Sequence, residues 1–163
     1  MKQKLAVFVD VQNIYYTTRQ VYKQHFDYNR FWQSYVAEHD VVVANAYAIA
    51  SPQDKQRQFH NILRGIGFNV KLKPFITRAD GSAKGDWDVG ITIDVMEIAS
   101  SVDRVFLLSG DGDFDLLVAK VQDSFKVPVT VFGVPQTSSN SLQQTASSFV
   151  GIEQELLLPA KKY

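Results

Sequence analysis

The sequence predicts an α/β fold, a three-layer α/β/α sandwich built on a mainly parallel, Rossmann-like central sheet. Apolar runs of strand length alternate with segments of helical periodicity along nearly the whole chain. The apolar runs are continuous, which is typical of strands covered by helices on both faces. Because the chain has 163 residues, we expect one domain spanning residues 1–163.

The first predicted strand, residues 4–10, is followed by helical sequence between residues 12 and 38. Apolar and aromatic side chains recur there at spacings of three and four, which predicts helices and places these side chains in the core. The residues with this spacing are Tyr15, Tyr16, Val21, Tyr22, Phe31, Trp32, Tyr35 and Val36. The β-branched and apolar run from Val41 to Ala50 predicts a second strand.

A helix is predicted next, with Ser51 as its N-cap and Pro52 at its first position. Its inward-facing residues are expected to be Phe59, Ile62, Leu63 and Ile66. Two glycines end the helical pattern, and residues 68–76 then predict a third strand with Pro74 near its end or at a sheet edge.

Alternation of helices and strands continues through the second half of the chain. The predicted elements are a helix over residues 86–101, a strand over 104–108, a helix over about 114–124 and a strand over 127–132. Val89, Ile93, Met96 and Ile98 are the apolar positions of the first of these helices. The polar stretch 136–148 leads to a short helix, and the pattern leaves the last element as either strand or helix.

Composition and charge narrow the class of protein. Hydrophobic residues make up 45% and charged residues 21% of the chain, as in ordinary globular proteins. The chain has no cysteine, which excludes disulfides, thiolate zinc sites and a cysteine nucleophile and leaves oxygen or imidazole as metal ligands. No eighteen-residue apolar run and no cleavable signal are recognised, so we expect a soluble, cytoplasmic protein without a membrane partner.

The formal net charge is zero, so composition alone gives no electrostatic argument for a nucleic-acid partner. Local charge can differ from the total. A basic group, made of Lys71, Lys73, Arg78 and Lys84, precedes Asp86.

Acidic side chains follow the ends of two predicted strands. Asp10 closes the apolar run LAVFVD, and Asp111, Asp113 and Asp115 follow RVFLLSG. In open parallel sheets, ligands collect beyond the carboxyl ends of the strands where the strand order reverses. If the first and fourth predicted strands are neighbours at that point, these acids lie together at the carboxyl ends of the two strands. Carboxylates crowded in this way repel unless a cation lies between them, which predicts Mg²⁺ or Mn²⁺.

A third acidic segment lies between those strands. Asp88 and Asp94 are six residues apart, nearly two helical turns, so both do not easily contact one ion. Asp88 is the favoured ligand, with Asp94 as the alternative. Asp113 is placed to cap the following helix, and Asp115 to complement the dipole of its first turn.

The acids can also be compared with the residue patterns of other kinds of functional site. An Asp after a strand is often only a turn former or helix cap. A calcium EF-hand beginning at Asp111 needs Gly at its sixth position and Glu at its twelfth, where this chain has Leu116 and Gln122. A phosphoaspartyl hydrolase that used Asp10 would need an acid at position 12, which is Gln12. No P-loop, dinucleotide fingerprint, convincing serine triad or histidine ligand spacing is present.

Three segments resemble the motifs of the NYN domain family, specifically its LabA-like branch, which belongs to the PIN-like nuclease fold. The segments are FVDVQNIYY (residues 8–16), KGDWDVGITIDVME (84–97) and LLSGDGDFDLLV (107–118). They occur in order at compatible spacing, and the resemblance extends to about Val150. The chain departs from the family at one point, because Asp88 comes one residue later than usual and is preceded by an additional acid. This leaves the choice between Asp86 and Asp88 open.

The resemblance implies metal-dependent hydrolysis of phosphodiester bonds in RNA, with single-stranded RNA as one candidate form. The implied catalytic and metal-binding acids are Asp10, Asp88, Asp111 and Asp113, with Asp86 and Asp94 as alternatives. Asn13 and Ser109 are expected to hydrogen-bond an orienting carboxylate or the phosphate, and Lys84 to meet a phosphate as a point charge.

Other interpretations stay open from the sequence. Tyr15 and Trp87 are either core residues or exposed rings that stack a base. The protein is alternatively a non-catalytic nucleic-acid-binding or regulatory module, or a phosphatase acting on a small phosphate ester. Its oligomeric state is open, a homodimer being one option.

Overall fold

Six parallel strands form the central sheet, as the continuous apolar runs predict. The computed structural model describes residues 2–74, 76, 77, 83, 84 and 86–160, of which 76, 77, 83 and 84 are described by their backbone alone. The strands are β1 (Lys4–Asp10), β2 (Asp40–Ile49), β3 (Asn69–Lys73), β4 (Ile76–Thr77), β5 (Ala83–Lys84), β6 (Arg104–Leu108), β7 (Val129–Gly133) and β8 (Ser148–Gly151). β4 and β5 form a separate antiparallel pair.

Helices connect the strands of the sheet. They are α1 (Val11–Tyr22), α2 (Tyr28–Phe31), α3 (Asp54–Ile66), α4 (Asp88–Ile98), α5 (Asp115–Phe125) and α6 (Asn140–Thr145). A π-helical turn at Trp32–Val36 continues α2, and 3₁₀ turns occur at Ala99–Ser101, Gly112–Phe114 and Gln154–Leu156. The helical region predicted over residues 12–38 is therefore two helices, separated after Lys23, which ends α1 in the left-handed conformation at φ 55°. The unassigned last element is β8.

The strand order of the sheet is β3-β2-β1-β6-β7-β8. The chain fills one half of the sheet outward from β1 and then the other half outward from β6. β1 and β6 are direct neighbours, with Val9 opposite Leu108. The predicted site requires the first and fourth predicted strands, which are β1 and β6, to be neighbours. Because they are, the acids after these two strands emerge at the point where the strand order reverses.

Two hydrophobic clusters cover the two faces of the sheet. One contains Val7 and Val9 of β1 with Ile14 of α1, Phe31 of α2 and Leu63 of α3. The other contains Ala6 and Phe8 of β1 with side chains of α4 and α5, namely Ile91, Val95, Leu117, Val118 and Val121. Alternate side chains of β1 thus face opposite helix layers, which confirms the predicted three-layer α/β/α architecture.

The start of α3 differs from the prediction. α3 begins at Asp54 with Gln53 as its N-cap residue, whereas Ser51 lies in a turn in which its hydroxyl oxygen accepts a hydrogen bond from the Gln53 N–H at 3.2 Å. Leu63 is fully buried as expected, but Ile62 is 56% exposed. The prediction that Ile62 faces the core is wrong, because one residue along a helix rotates the side chain by about 100° away from the buried stripe.

Two aromatic residues of α1 also lie on the other side of their helix. Tyr15 is 37% and Tyr16 is 59% exposed, and the inward stripe consists of Val11, Ile14 and Thr18. α1 starts immediately after Asp10 without a loop, so the end of β1 sets which face of the helix turns inward. The expectation of a core position for Tyr15 and Tyr16 is therefore wrong.

α4 shows the same kind of difference. Its inward stripe is Ile91, Val95 and the following Ala99, at i, i+4 and i+8, whereas Val89 is 70% and Ile93 58% exposed. The apolar residues of α4 are distributed around the whole helix, so its sequence has little periodicity from which the buried face could be predicted. None of the described helices is long and apolar enough to cross a membrane.

Candidate active site

Three carboxylates meet beyond the carboxyl ends of β1 and β6. One oxygen from each of Asp88, Asp111 and Asp113 lies within 4.8 Å of the others. Asp88 is the first residue of α4, and the other two acids belong to the loop and 3₁₀ turn after β6. Asp88 and Asp111 are half-buried, and Asp113 is exposed. The structure therefore brings together acids from two of the three predicted segments.

The loop after β6 is held in shape by its own hydrogen bonds. The Asp111 carboxylate accepts a hydrogen bond from the Asp113 N–H at 2.9 Å and caps the 3₁₀ turn. The prediction that Asp113 caps the following helix is wrong, because the N-cap residue of α5 is Phe114. Gly110 lies against the loop after β7, where a Cβ atom would come within 2.6 Å of the Ser138 hydroxyl oxygen. This close approach explains why a glycine occupies the position.

Asp10 lies beside this cluster at the end of β1. Asp10 is 9% exposed, and its carboxylate accepts hydrogen bonds from the Asn13 N–H at 3.4 Å and from the Ser109 hydroxyl at 3.1 Å. Burial raises the pKa of Asp10 to about 6, opposed by these two hydrogen bonds, and the charges of Asp111 and Asp86 add to the rise. Both Asp10 oxygens are thus engaged by the protein.

Ser109 and Asn13 connect the two strand ends. The Ser109 hydroxyl oxygen also accepts a hydrogen bond from the Asp111 N–H at 3.2 Å, and Asn13 Oδ1 accepts one from the Gly110 N–H at 2.9 Å. Asp10 is linked to the loop that carries Asp111 by both contacts. The two predicted polar residues therefore contact the carboxylate and the backbone of the site.

Asp88 carries the largest electrostatic penalty of the described acids. Burial raises its pKa to about 7, and the negative charges of Asp111, Asp10, Asp86 and Asp113 add to the rise. Four neighbouring acids disfavour its ionisation. A cation bound in the cluster would reverse this effect.

Trp87 fixes the start of α4 and thereby the position of Asp88. Its indole N–H donates to the Ala48 carbonyl oxygen at 2.9 Å, and its ring centroid lies 5.2 Å from that of Tyr47. The Lys73 ammonium group lies 4.4 Å from the centroid of the indole ring. Trp87 is half-buried and engaged in these contacts. No pattern in the sequence identifies this anchoring role.

The alternative acids have different surroundings. The Asp94 carboxylate accepts hydrogen bonds from the Tyr47 hydroxyl at 2.7 Å and the Lys71 ammonium at 2.8 Å. Burial opposes ionisation of Asp94, but these contacts outweigh it and lower its pKa. Asp86 is exposed just before α4, and its carbonyl oxygen accepts a hydrogen bond from Lys73 at 3.1 Å. Neither acid belongs to the three-carboxylate group found among the described residues.

Two predicted residues need separate mention. Asp115 begins α5, as predicted, and its carboxylate accepts a hydrogen bond from the Ser141 hydroxyl. The side chain of Lys84, the predicted phosphate contact, lies outside the described residues.

Sequence and structure comparisons identify the family. The NYN domain profile matches residues 4–153. The chain belongs to the NYN domain family. The low amplitude and bright protein LabA of Synechococcus elongatus is 26% identical to this NYN domain over 158 residues, which cover 91% of the chain and 83% of LabA. The crystal structure of VPA0982 from Vibrio parahaemolyticus, a protein of unknown function, is 59% identical with a TM-score of 0.92, and the match covers 96% of this chain and 97% of that one. The family predicted from the three motifs is confirmed.

The acids of this NYN domain fit a small divalent cation. Oxygens bound to one Mg²⁺ lie at most about 4.2 Å apart, twice the Mg–O distance. The three carboxylate oxygens, all within 4.8 Å, need only small side-chain adjustments to reach such an arrangement. An all-oxygen donor set suits Mg²⁺ or Mn²⁺. Burial and the charges of the neighbouring acids raise the pKa of Asp88, and a bound cation would favour its ionised form.

Proposed function

We propose that this NYN domain is a metal-dependent ribonuclease that hydrolyses phosphodiester bonds at Asp88, Asp111 and Asp113, with Asp10 beside them. The observation that carries the proposal is the convergence of these acids between β1 and β6, where the strand order of the sheet reverses. Membership of the NYN family, whose domains are nuclease-like, supports the same chemistry.

The surroundings of the four acids predict which of them would bind the metal ion directly. Asp88, Asp111 and Asp113 would hold Mg²⁺ or Mn²⁺, and Asp10, whose oxygens are already hydrogen-bonded, would contact the ion through water or orient its shell. When bound, the ion lowers the pKa of a bound water and neutralises charge on the phosphate.

Polar groups of the chain hold this arrangement in place. Ser109 orients the Asp10 carboxylate and the backbone of Asp111 at the same time. Asn13 uses Oδ1 to fix Gly110, which leaves its Nδ2 group to donate to a phosphate oxygen or a water. Trp87 is a positioning residue, because it acts on Asp88 through the start of α4.

The structure gives no support to the phosphatase alternative. A nucleophilic Asp10 would have to present a free oxygen to the phosphorus in line with the leaving group. Asp10 is only 9% exposed, and both of its carboxylate oxygens accept hydrogen bonds, from Asn13 and Ser109. The remaining alternative is a non-catalytic module, and an RNA cleavage assay distinguishes it from a nuclease.

The test is cleavage of end-labelled single-stranded RNA with and without Mn²⁺. We expect Mn²⁺-dependent scission that falls by at least about 100-fold in Asp88→Asn and Asp111→Asn, because each substitution removes an anionic ligand. The matched control is Asp123→Asn on α5, an exposed acid outside the cluster, which should cleave like the wild type. RNA binding without scission at any divalent cation would instead establish the non-catalytic module.

A further inference from the structure

An open depression of about 830 Å³ lies along the outer face of α1 and the turn after it. It is lined by Tyr15, Tyr16, Arg19, Lys23 and His25, together with two glutamines. None of these residues belongs to the carboxylate site. We call this surface the α1 platform.

Aromatic rings form the centre of the α1 platform. The Tyr15 ring stacks on His25, with centroids 5.5 Å apart and planes 18° apart, and Tyr16 meets Tyr15 edge-on at 5.4 Å. Tyr16 is 59% exposed although α1 has a well-defined buried stripe on its other side. Neighbouring exposed rings present flat apolar faces on which unpaired bases can stack.

The charge of the α1 platform is positive. Arg19 donates a hydrogen bond to the Tyr15 hydroxyl at 3.5 Å and lies 6.0 Å from the centroid of that ring, and Lys23 follows one turn later. The described lining residues are basic, aromatic or amide side chains, and Arg19 and Lys23 give this lining a positive charge although the whole chain has a net charge of zero. Two acids, Glu153 and Glu155, lie near Tyr22 of the same helix but do not line the depression. Cations beside stacking rings match the phosphates and bases of a single strand.

One end of the α1 platform lies a helical turn from Asn13 of the carboxylate site. Asn13, which contacts Gly110 at the site, shares one helix face with Tyr16 and Gln20 at i, i+3 and i+7. At 1.5 Å per residue, Tyr16 lies about 5 Å and Lys23 about 15 Å along the axis from Asn13. A polynucleotide with one phosphate at the carboxylates can therefore continue directly onto the platform.

We propose that the α1 platform binds single-stranded RNA, with a base stacked on Tyr16 and backbone phosphates paired with Arg19 and Lys23. The platform holds the part of the strand that flanks the cleaved phosphate. This orientation toward the carboxylates rests on the proposed ribonuclease function, whereas binding to the platform needs no cleavage. Duplex RNA binds less well, because its bases are already paired and stacked.

The experiment is fluorescence anisotropy of a labelled twelve-nucleotide RNA without secondary structure, measured in EDTA so that no cleavage occurs. Tyr16→Ala should raise the Kd at least about five-fold, the loss expected for one stacked base. Arg19→Ala should raise the Kd and lower the slope of log K against log salt by about 0.7, the value for one phosphate contact on a single strand.

Matched controls come from α3. Ile62→Ala removes a side chain of similar exposure, 56% against 59% for Tyr16, and Arg57→Ala removes an exposed arginine outside the platform. Both controls should bind RNA like the wild type. Thermal melting of Tyr16→Ala should match the wild type, since the ring is outside the core.

Equal RNA affinity of Tyr16→Ala and the two controls would overturn the proposal. So would a labelled oligoglutamate peptide that binds the wild type more tightly than RNA does and loses affinity with Arg19→Ala, because the occupant would then be an acidic peptide. The same experiments show whether the ribonuclease proposal or the α1 platform proposal is the one that fails. RNA binding that depends on Tyr16 without any scission removes the ribonuclease alone, and Mn²⁺-dependent scission with unchanged binding by Tyr16→Ala removes the platform alone.

Discussion

The Ser109 hydroxyl donates a hydrogen bond to the Asp10 carboxylate at 3.1 Å, although the two residues are 99 positions apart in the chain. Ser109 follows β6 and Asp10 ends β1, so the contact joins the two strands between which the strand order reverses. Both side chains are buried. A buried carboxylate that keeps such a donor is stabilised in its charged form.

Ser109→Ala should therefore destabilise the metal-free protein at pH 7.5 by about 1–3 kcal/mol, the cost of removing one partner from a buried charged group. The loss should be smaller at pH 5, because the neutral form of Asp10 depends less on the donor. Urea unfolding at both pH values measures this. Ser124→Ala, an exposed serine on α5, is the control. An equal loss at both pH values would show that packing, not charge, explains the effect.

The stability of the metal-free protein should fall as pH rises between about 4 and 7. The pKa values of Asp10 and Asp88 in the folded protein are about 6 and 7, above the value of about 3.9 in an unfolded chain. At these two acids the folded state thus binds more protons than the unfolded state in this range, so their contribution to stability is fully present below about pH 3.9 and is lost as pH rises through the folded pKa values.

Asp88→Asn isolates the contribution of one acid to this pH dependence. The variant cannot ionise at position 88, so its stability should fall less steeply over the same range. Parallel melting curves at several pH values in EDTA supply the measurement. Identical slopes for the variant and the wild type would contradict the raised pKa of Asp88.

Two substitutions of Asp111 distinguish the effect of its negative charge on stability from the effect of its hydrogen bond to the Asp113 N–H. Asn keeps an oxygen that can accept the Asp113 N–H and removes one negative charge, so Asp111→Asn should leave the metal-free melting temperature unchanged or raise it. Asp111→Ala loses the cap as well and should be about 1 kcal/mol less stable than Asp111→Asn. A fall of several degrees in Asp111→Asn would show that the charged cap stabilises the loop.

Mn²⁺ should raise the melting temperature of the wild type at pH 7.5. A ligand at 100 times its Kd adds about 2.7 kcal/mol to the free energy of unfolding. Asp88→Asn and Asp111→Asn should lose most of this increase. Asp86→Asn and Asp94→Asn should keep it, since neither acid belongs to the described cluster. Loss of the Mn²⁺ effect in Asp94→Asn would show that Asp94 leaves Lys71 to bind the ion.

The sheet and the position of the site could be predicted because both depend on local sequence. Continuous apolar runs identify the strands, and acids directly after two of them identify the edge where a ligand collects. The sequence favoured Asp88 over Asp94 as the ligand, but it could not predict which side chains occupy the Asp94 carboxylate. Lys71 of β3 pairs with Asp94 across 23 positions, and no local pattern indicates this pair.

The orientation of individual helices was the least predictable part. Aromatic spacing in α1 predicts a helix but fits more than one buried face, and the direct connection from β1 selects the face that leaves Tyr16 outside. The contacts of Trp87 involve Tyr47 and Lys73 from two strands, so its anchoring role appears only when these elements are assembled.

β1 passes into α1 without a loop between Asp10 and Val11, which bears on how RNA would lie in the proposed complex. Tyr16 lies six residues after Asp10, in the helix that follows the strand without a break. In the proposed mode of binding, the base on Tyr16 would lie a constant number of nucleotides from the phosphate that is cut, and this spacing would be the same for every RNA sequence.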